Sequence, residues 1–369
     1  MFSRPQFVAL TVVLVLASLV LATSSKPREE VNYVEKRVPV AAFNNEKVIQ
    51  ADFFIRAQDD SNILLQMRNK RKPSTKKYSP DNVVLFVHGA TYPSETSYDL
   101  VLGGMSWMDF MAMQGYDTYF INVRGYGDST RPANTGEPIV RTTTAADDYA
   151  TAVKYILRRR NISKMNIMGW SWGTSIATTF ATNYPELTNR LVIYAPQWYR
   201  NFQTKVSGSY RNTTIEGRRA SWLTGVAADK QNSIIPAGWY EIWESVTFAK
   251  ALVNEKGVKY LSTPTGIVYD NNEYWFNSIN IYNSTKLNMP VLVIRAEWDA
   301  DLNIDMSLGY FKNLTQVPYK KFVQIPEGTH QVLLEKNRMA LFREVQHFLT
   351  EEKTIPLAAT DYDLDAIRN

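Results

Sequence analysis

The sequence predicts an α/β fold, in which a mostly parallel, twisted sheet carries helices on both faces and an inserted cap. Three observations carry that expectation. Short apolar runs of strand length alternate with stretches of helical length, the pattern of parallel strands joined by crossover helices. Val83 to Val87 is apolar at every position, as a strand covered on both faces must be. The alternation lapses over residues 197–287 and resumes at Pro290, which places an insertion late in the sheet.

Residues 1–22 read as a targeting segment. Arg4 precedes the uncharged, mostly apolar run Phe7 to Ala22, and Lys26-Pro27-Arg28-Glu29-Glu30 follows it. Val20 and Ala22 are small enough for signal-peptide cleavage after Ala22, and an uncleaved N-terminal membrane anchor is the alternative. Residues 23–45 read as an irregular lead-in. Lys47 to Ala57 and Asn62 to Met67 read as strands joined by the turn formers Asp59-Asp60-Ser61. The basic cluster from Arg68 to Lys77 reads as a solvated loop ahead of the Val83 strand. Leu100 to Gln114 has helical length and ends at Gly115. Thr118 to Val123 is a strand, Thr143 to Arg159 a helix, and Lys164 to Met168 another strand. A small-residue helix, Thr174 to Thr182, closes at Tyr184-Pro185, and Arg190 to Tyr194 gives a further strand. Beyond the insertion come the strand Val291 to Ala296, a helical stretch near Asp305, the strand Lys321 to Ile325 and a helix from Gln331 to about Leu349. The core is therefore 46–196 with 288–352, the cap 197–287 and the C-terminal tail 353–369.

Composition narrows the class. The 369 residues are 45% apolar and 21% charged, which is ordinary globular usage with enough material for a large core. A formal charge of +5 is not concentrated enough to point to nucleic acid. Cysteine is absent, so disulfides, a Cys nucleophile and thiolate metal sites are excluded. With three histidines and no Gly-rich phosphate loop, neither a metal nor a cofactor is expected. The sequons at Asn161, Asn212, Asn283 and Asn313 agree with an exported glycoprotein.

The chemistry centres on Gly169-Trp170-Ser171-Trp172-Gly173, set between a strand and a helix. A serine needs a base to take its proton and a third group to orient that base. Among the histidines, His347 lies inside the last helix and His88 ends a strand before Gly89-Ala90. His330, in the Gly-containing loop Pro326-Glu327-Gly328-Thr329-His330, is the candidate base. The candidate acid is Asp299, just past the strand Val291 to Ala296, with Glu297 and Asp301 as competing carboxylates. An oxyanion requires two backbone donors, for which Trp172 N–H, at a helix start, and Ala90 N–H are placed.

Taken together, His88-Gly89-Ala90, Arg124-Gly125-Tyr126-Gly127-Asp128-Ser129, the Gly169–Gly173 pentapeptide, Asp299 and His330 resemble the α/β-hydrolase superfamily, of the lidded type. The resemblance spans about residues 47 to 350. It implies a nucleophile elbow at Ser171 and the chain order Ser, Asp, His. Relatives often carry Asp where this chain has Asn122. The superfamily's shared frame does not name a substrate.

Tryptophan usage addresses the pocket. Trp170, Trp298 and Trp107 are candidate pocket residues of the core, and Trp170 and Trp172 are expected to set apolar surface beside the Ser171 hydroxyl. Trp198, Trp222, Trp239, Trp243 and Trp275 enrich the cap. An apolar or aromatic small-molecule acyl substrate is expected, with membrane contact through the lid or the N-terminus as a further possibility. The expected function is an exported serine hydrolase, secreted or periplasmic, of the esterase or lipase type. The alternatives are a peptidase of aminopeptidase type and a non-enzymatic binding protein on the same frame. The sequence does not assign an oligomeric state.

Overall fold

A computed structural model describes residues 29–351. Its strands are β1 (Val31–Val40), β2 (Glu46–Arg56), β3 (Leu64–Arg71), β4 (Val83–Val87), β5 (Asp117–Ile121), β6 (Met165–Trp170), β7 (Thr188–Tyr194), β8 (Tyr210–Thr214), β9 (Leu252–Val253), β10 (Lys259–Pro264), β11 (Val291–Ala296) and β12 (Lys320–Ile325). Nine of them form the main sheet in the order β1-β2-β3-β5-β4-β6-β7-β11-β12. From β5 to β12 the neighbours are parallel. β1, β2 and β3 join antiparallel at one edge.

The parallel strands β4, β6, β7 and β11 are buried at every position, so they are mainly apolar and do not alternate, with Asn166, Thr188, Asn189, Arg190 and Arg295 as polar exceptions. Helices on both faces provide that burial. On one face, Thr142–Arg160 lies beside Trp172–Asn183. On the other, Trp107–Met113 meets Arg338–Thr350, with Trp107 stacked on Phe342 at a ring separation of 4.5 Å. A parallel sheet collects its reactive loops at the strands' carboxyl ends. Here those ends deliver His88, Ser171, Asp299 and His330 to one side of the sheet.

Several expectations need correction. The lead-in is not irregular, because β1 occupies most of its described part and pairs with β2 from Val34 opposite Asp52 to Val40 opposite Glu46. Glu35, Lys36, Arg37 and Pro39 give β1 no apolar period, so only backbone pairing reveals it. An edge strand tolerates both charge and proline. Nor do Arg68 and Lys70 open a solvated loop, since β3 continues through Arg71. Lys70 is 2% exposed, with Nζ 2.6 Å from Asp99 and 2.8 Å from Asp109. Asp109 also completes a capping box with Ser106 at the start of the helix Trp107–Met113. That helix is shorter than the sequence suggests, because Leu102 and Met105 pair in a tight turn before it.

Between Tyr194 and Val291 the chain leaves the sheet and builds the lid. Its small sheet, in the order β8-β10-β9, rests on polar strands such as Tyr210–Thr214 that give no strand signal. Short helices, among them Arg218–Trp222 and Trp239–Thr247, complete it. Among the described residues no helix is long and apolar enough to cross a membrane. The targeting segment 1–22 and the tail 353–369 lie outside the described residues.

Candidate active site

β6 ends at Trp170 and a helix begins at Trp172, so Ser171 must turn the chain in a single residue. Its φ of 57° and ψ of −122° are strained for a residue bearing a side chain. The flanking glycines are required by contact. A Cβ on Gly169 would stand 2.0 Å from the Gly173 carbonyl oxygen, and one on Gly173 would stand 2.5 Å from that of Val87. Ser171 N–H is held by the Tyr194 carbonyl at 3.0 Å. The side chain is left lining a cavity of about 390 Å³, which His330 also lines.

His330 Nδ1 lies 2.8 Å from Asp299 Oδ2. The other carboxylate oxygen accepts the backbone N–H groups of Asp301, at 3.0 Å, and Leu302, at 2.8 Å. Asp299 is therefore fixed on both sides, which separates it from its competitors. Asp301 contributes its backbone to Asp299, and the Glu297 carboxylate accepts Glu327 N–H at 2.8 Å instead. Burial pushes the His330 imidazole pKa down. The charge and hydrogen bond of Asp299 outweigh that effect and hold it above the ordinary histidine value. Ser171 and His330 face the same cavity without a hydrogen bond between them, the looser geometry usual before substrate binds.

The loop after β4 is pinned atom by atom. Val123 N–H donates to His88 Nε2 at 3.2 Å, so the ring proton resides on Nδ1 and is donated to the Gly89 carbonyl at 2.7 Å. Complete burial pushes the His88 pKa down to about 4, which keeps that neutral tautomer. The Ala90 carbonyl accepts Tyr126 Oη–H at 2.9 Å and Arg211 Nη2–H at 2.8 Å. Both peptide groups flanking Ala90 are thus immobilised beside Ser171. A Cβ on Gly89 would come within 3.1 Å of Ser171 Cβ, so glycine is what allows this approach. Asn122 is also matched to its surroundings. It donates to Gln66 at 2.7 Å and to the half-buried Glu95 at 2.6 Å, where a carboxylate would repel Glu95.

The tryptophans divide differently from the sequence-based expectation. Trp170 lines the cavity and braces the His330 loop, its indole N–H reaching the His330 carbonyl at 3.2 Å, where Tyr194 Oη–H donates at 2.8 Å. The Trp172 side chain is buried in the core and donates to Thr142 at 2.9 Å, so it sets no apolar surface in the cavity beside Ser171. Trp107 does not reach the cavity, because it is 1% exposed and packed among Phe86, Tyr98 and Phe342. Trp298 is outside it too, with its ring turned toward Lys230 Nζ at 5.3 Å. The aromatic wall comes from Trp170 together with Trp222 and Trp243 of the lid.

Two features carried no sequence signal. Glu335, completely buried, accepts the Trp222 indole N–H at 2.6 Å, Thr329 N–H at 3.0 Å and the Thr329 hydroxyl. Arg200, Arg211 and Arg218 of the lid line the same cavity as Ser171. Neither feature has a motif or a period, since both arise from residues brought together only by tertiary folding.

The family model for the alpha/beta hydrolase fold matches residues 82–337, and the chain belongs to that family. Protein ABHD8 of Bos taurus is 22% identical over 271 residues, which cover 72% of this chain and 56% of that protein. The chain thus spans about half the length of the curated relatives it matches. A thermophilic esterase from Thermogutta terrifontis superposes with a TM-score of 0.51 at 15% identity, covering 86% of this chain and 98% of the esterase. The thioesterase domain from the curacin biosynthetic pathway superposes with a TM-score of 0.53 at 15% identity, covering 80% and 99%. At these identities the structures share the fold.

Proposed function

We propose that the chain is a serine hydrolase that cleaves a carboxylic ester or related acyl bond of a small molecule with an apolar or aromatic body. Ser171 Oγ attacks the acyl carbonyl while His330 Nε2 takes its proton, and Asp299 holds the imidazole in the tautomer that leaves Nε2 free. The Trp172 and Ala90 N–H groups receive the oxyanion. His330 then returns the proton to the departing alcohol, and water resolves the acyl-enzyme by the same route. The observation that supports this reading best is the 2.8 Å Asp299–His330 contact, facing a strained Ser171 across one cavity. Trp170, Trp222 and Trp243 supply the apolar wall. The peptidase alternative is weakened by the arginines in that wall, since an N-terminal amine calls for acidic partners.

Export, with or without cleavage of the N-terminal segment, is part of the proposal. It rests on the Phe7–Ala22 run and on the surface positions of the Asn161, Asn212 and Asn283 sequons. Lid contact with a lipid surface is supported by Ile242 and Val246, exposed one turn apart on the helix Trp239–Thr247. Turnover of a panel of esters by the wild type and by Ser171→Ala tests the catalytic core of the proposal. Turnover is expected in the wild type and its loss in the variant, whereas undiminished turnover in Ser171→Ala would remove the assignment.

A further inference from the structure

Outside the cavity the inward-facing guanidiniums find acceptors, neutral ones for Arg190, Arg295 and Arg338 and carboxylates for three others. Arg124 sits between Asp59 and Asp148, Arg141 reaches Asp270, and Arg160 reaches Asp117. The catalytic cavity gathers three more. Arg200, Arg211 and Arg218 all line it, and among the described residues none of the three makes an ion pair. The Nε atom of each is buried with no hydrogen-bond partner. Half-buried positive charge that lines a cavity and has no ion pair is open to an anionic ligand.

The three arginines have distinguishable roles. Arg211 is committed to the oxyanion loop through the Ala90 carbonyl and the Thr91 hydroxyl, at 2.8 and 2.9 Å. Arg200 is stacked on Phe202, its guanidinium 3.9 Å from the ring centroid, which fixes the plane of the fork while leaving its edges available. Burial draws the Arg200 pKa down, with the charge of Asp301 opposing that shift. Arg218 stands on the short helix Arg218–Trp222 and hydrogen-bonds the Tyr92 phenol, a neutral partner that leaves its charge unpaired. Asp301 is the one carboxylate in the wall besides the Asp299 behind His330, so the cavity carries a net positive charge.

We infer that the substrate is an anionic acyl compound, whose carboxylate or phosphate group is received by Arg200 and Arg218 while its acyl carbonyl lies at Ser171. This inference rests on the proposed hydrolase reading and adds the substrate class to it. A guanidinium fork matches both oxyacid groups through paired N–H···O bonds. A cavity of about 390 Å³ restricts the choice to small molecules.

The test measures kcat/KM for three esters of matched chain length: ethyl hexanoate, monoethyl adipate and ethyl 5-phosphonooxypentanoate. At least one charged ester is expected to exceed the neutral one by about tenfold or more, and the better of the two identifies the oxyacid. Arg200→Gln and Arg218→Gln should each reduce that charged-to-neutral ratio severalfold, and the double variant should bring it near unity. Arg200→Lys should keep part of it. Because the readout is a ratio within each variant, general loss of activity or of folded protein cancels. A wild-type ratio of one or less, or a ratio that survives the double substitution, would overturn the inference. If fluorophosphonate labels Ser171 in that same preparation, the hydrolase reading stands without the anion preference. If no ester turns over and Ser171 is not labelled, both fall.

Discussion

The indole N–H of Trp222 in the lid donates to the Glu335 carboxylate in the core at 2.6 Å, and the same carboxylate holds Thr329, the residue before His330. One buried acid therefore fastens both the lid and the base loop. Trp222→Phe keeps the ring's bulk and removes the donor. Above pH 7, where Glu335 is charged, such a hydrogen bond contributes about 1.5–3 kcal/mol, so thermal unfolding measured there should shift down. KM should rise more than kcat falls, because the lid wall is loosened while Thr329 keeps its bonds.

Burial raises the Glu335 pKa to about 7, against an ordinary value of 4.5. Between those values the unfolded chain has released this proton and the folded chain has not. The folded state therefore loses stability as pH rises from 4.5 to 7, and this contribution levels off above 7. Melting temperature measured across that range should fall more steeply in the wild type than in Glu335→Gln, which has no proton to release there. Parallel curves would show that Glu335 does not titrate in this window.

Asp299 should govern both rate and pH dependence. With His330 held above its usual pKa, the acidic limb of kcat/KM should lie above pH 6.5. Asp299→Asn removes the largest effect opposing burial, leaving the charges of Asp301 and Glu335, so that limb should move down. In addition, kcat should drop by roughly 10⁴ through loss of the useful tautomer. A profile that does not move in the variant would separate Asp299 from the base.

The elbow should not accept a methyl group. Gly169→Ala would bring Cβ within 2.0 Å of a backbone oxygen that cannot move without the helix behind it. Overpacking of this kind costs about 1–3 kcal/mol or more, and soluble yield and urea midpoint should both fall. Gly136→Ala serves as the comparison, because its positive φ carries the backbone penalty while nothing lies within 4 Å of an added Cβ.

Lys70 should matter to stability although it is far from the chemistry. Lys70→Met leaves buried Asp109 without an ion pair and Asp99 with Arg68 alone, and breaking such a group costs about 3–5 kcal/mol. Lys250→Met at the exposed pair with Asp128 should change the urea midpoint little.

What could be read from the sequence follows the physics of each part. Strands covered on both faces are mainly apolar, so β4 and the runs Leu191–Tyr194 of β7 and Val291–Ile294 of β11 stand out in the chain. The elbow's glycines mark a steric requirement, and Asp299 and His330 follow at strand ends, where the fold gathers loops. β1 stayed hidden because an edge strand needs no apolar face. The basic run containing Lys70 looked solvated because its partners Asp99 and Asp109 are distant in sequence. Trp107 and Trp298 were expected in the pocket from sequence position, whereas packing directs Trp107 to Phe342 and Trp298 to Lys230. The cavity's arginines come from a coil, a strand of the small lid sheet and a five-residue helix, and no periodicity links them.

The most direct test of the central claim is intact-mass and peptide mapping of the purified chain after treatment with a fluorophosphonate. A single adduct on the Ser171 hydroxyl, absent from Ser171→Ala and weakened in Asp299→Asn, is the predicted result. An unmodified Ser171, or an adduct that persists in Ser171→Ala, would contradict it.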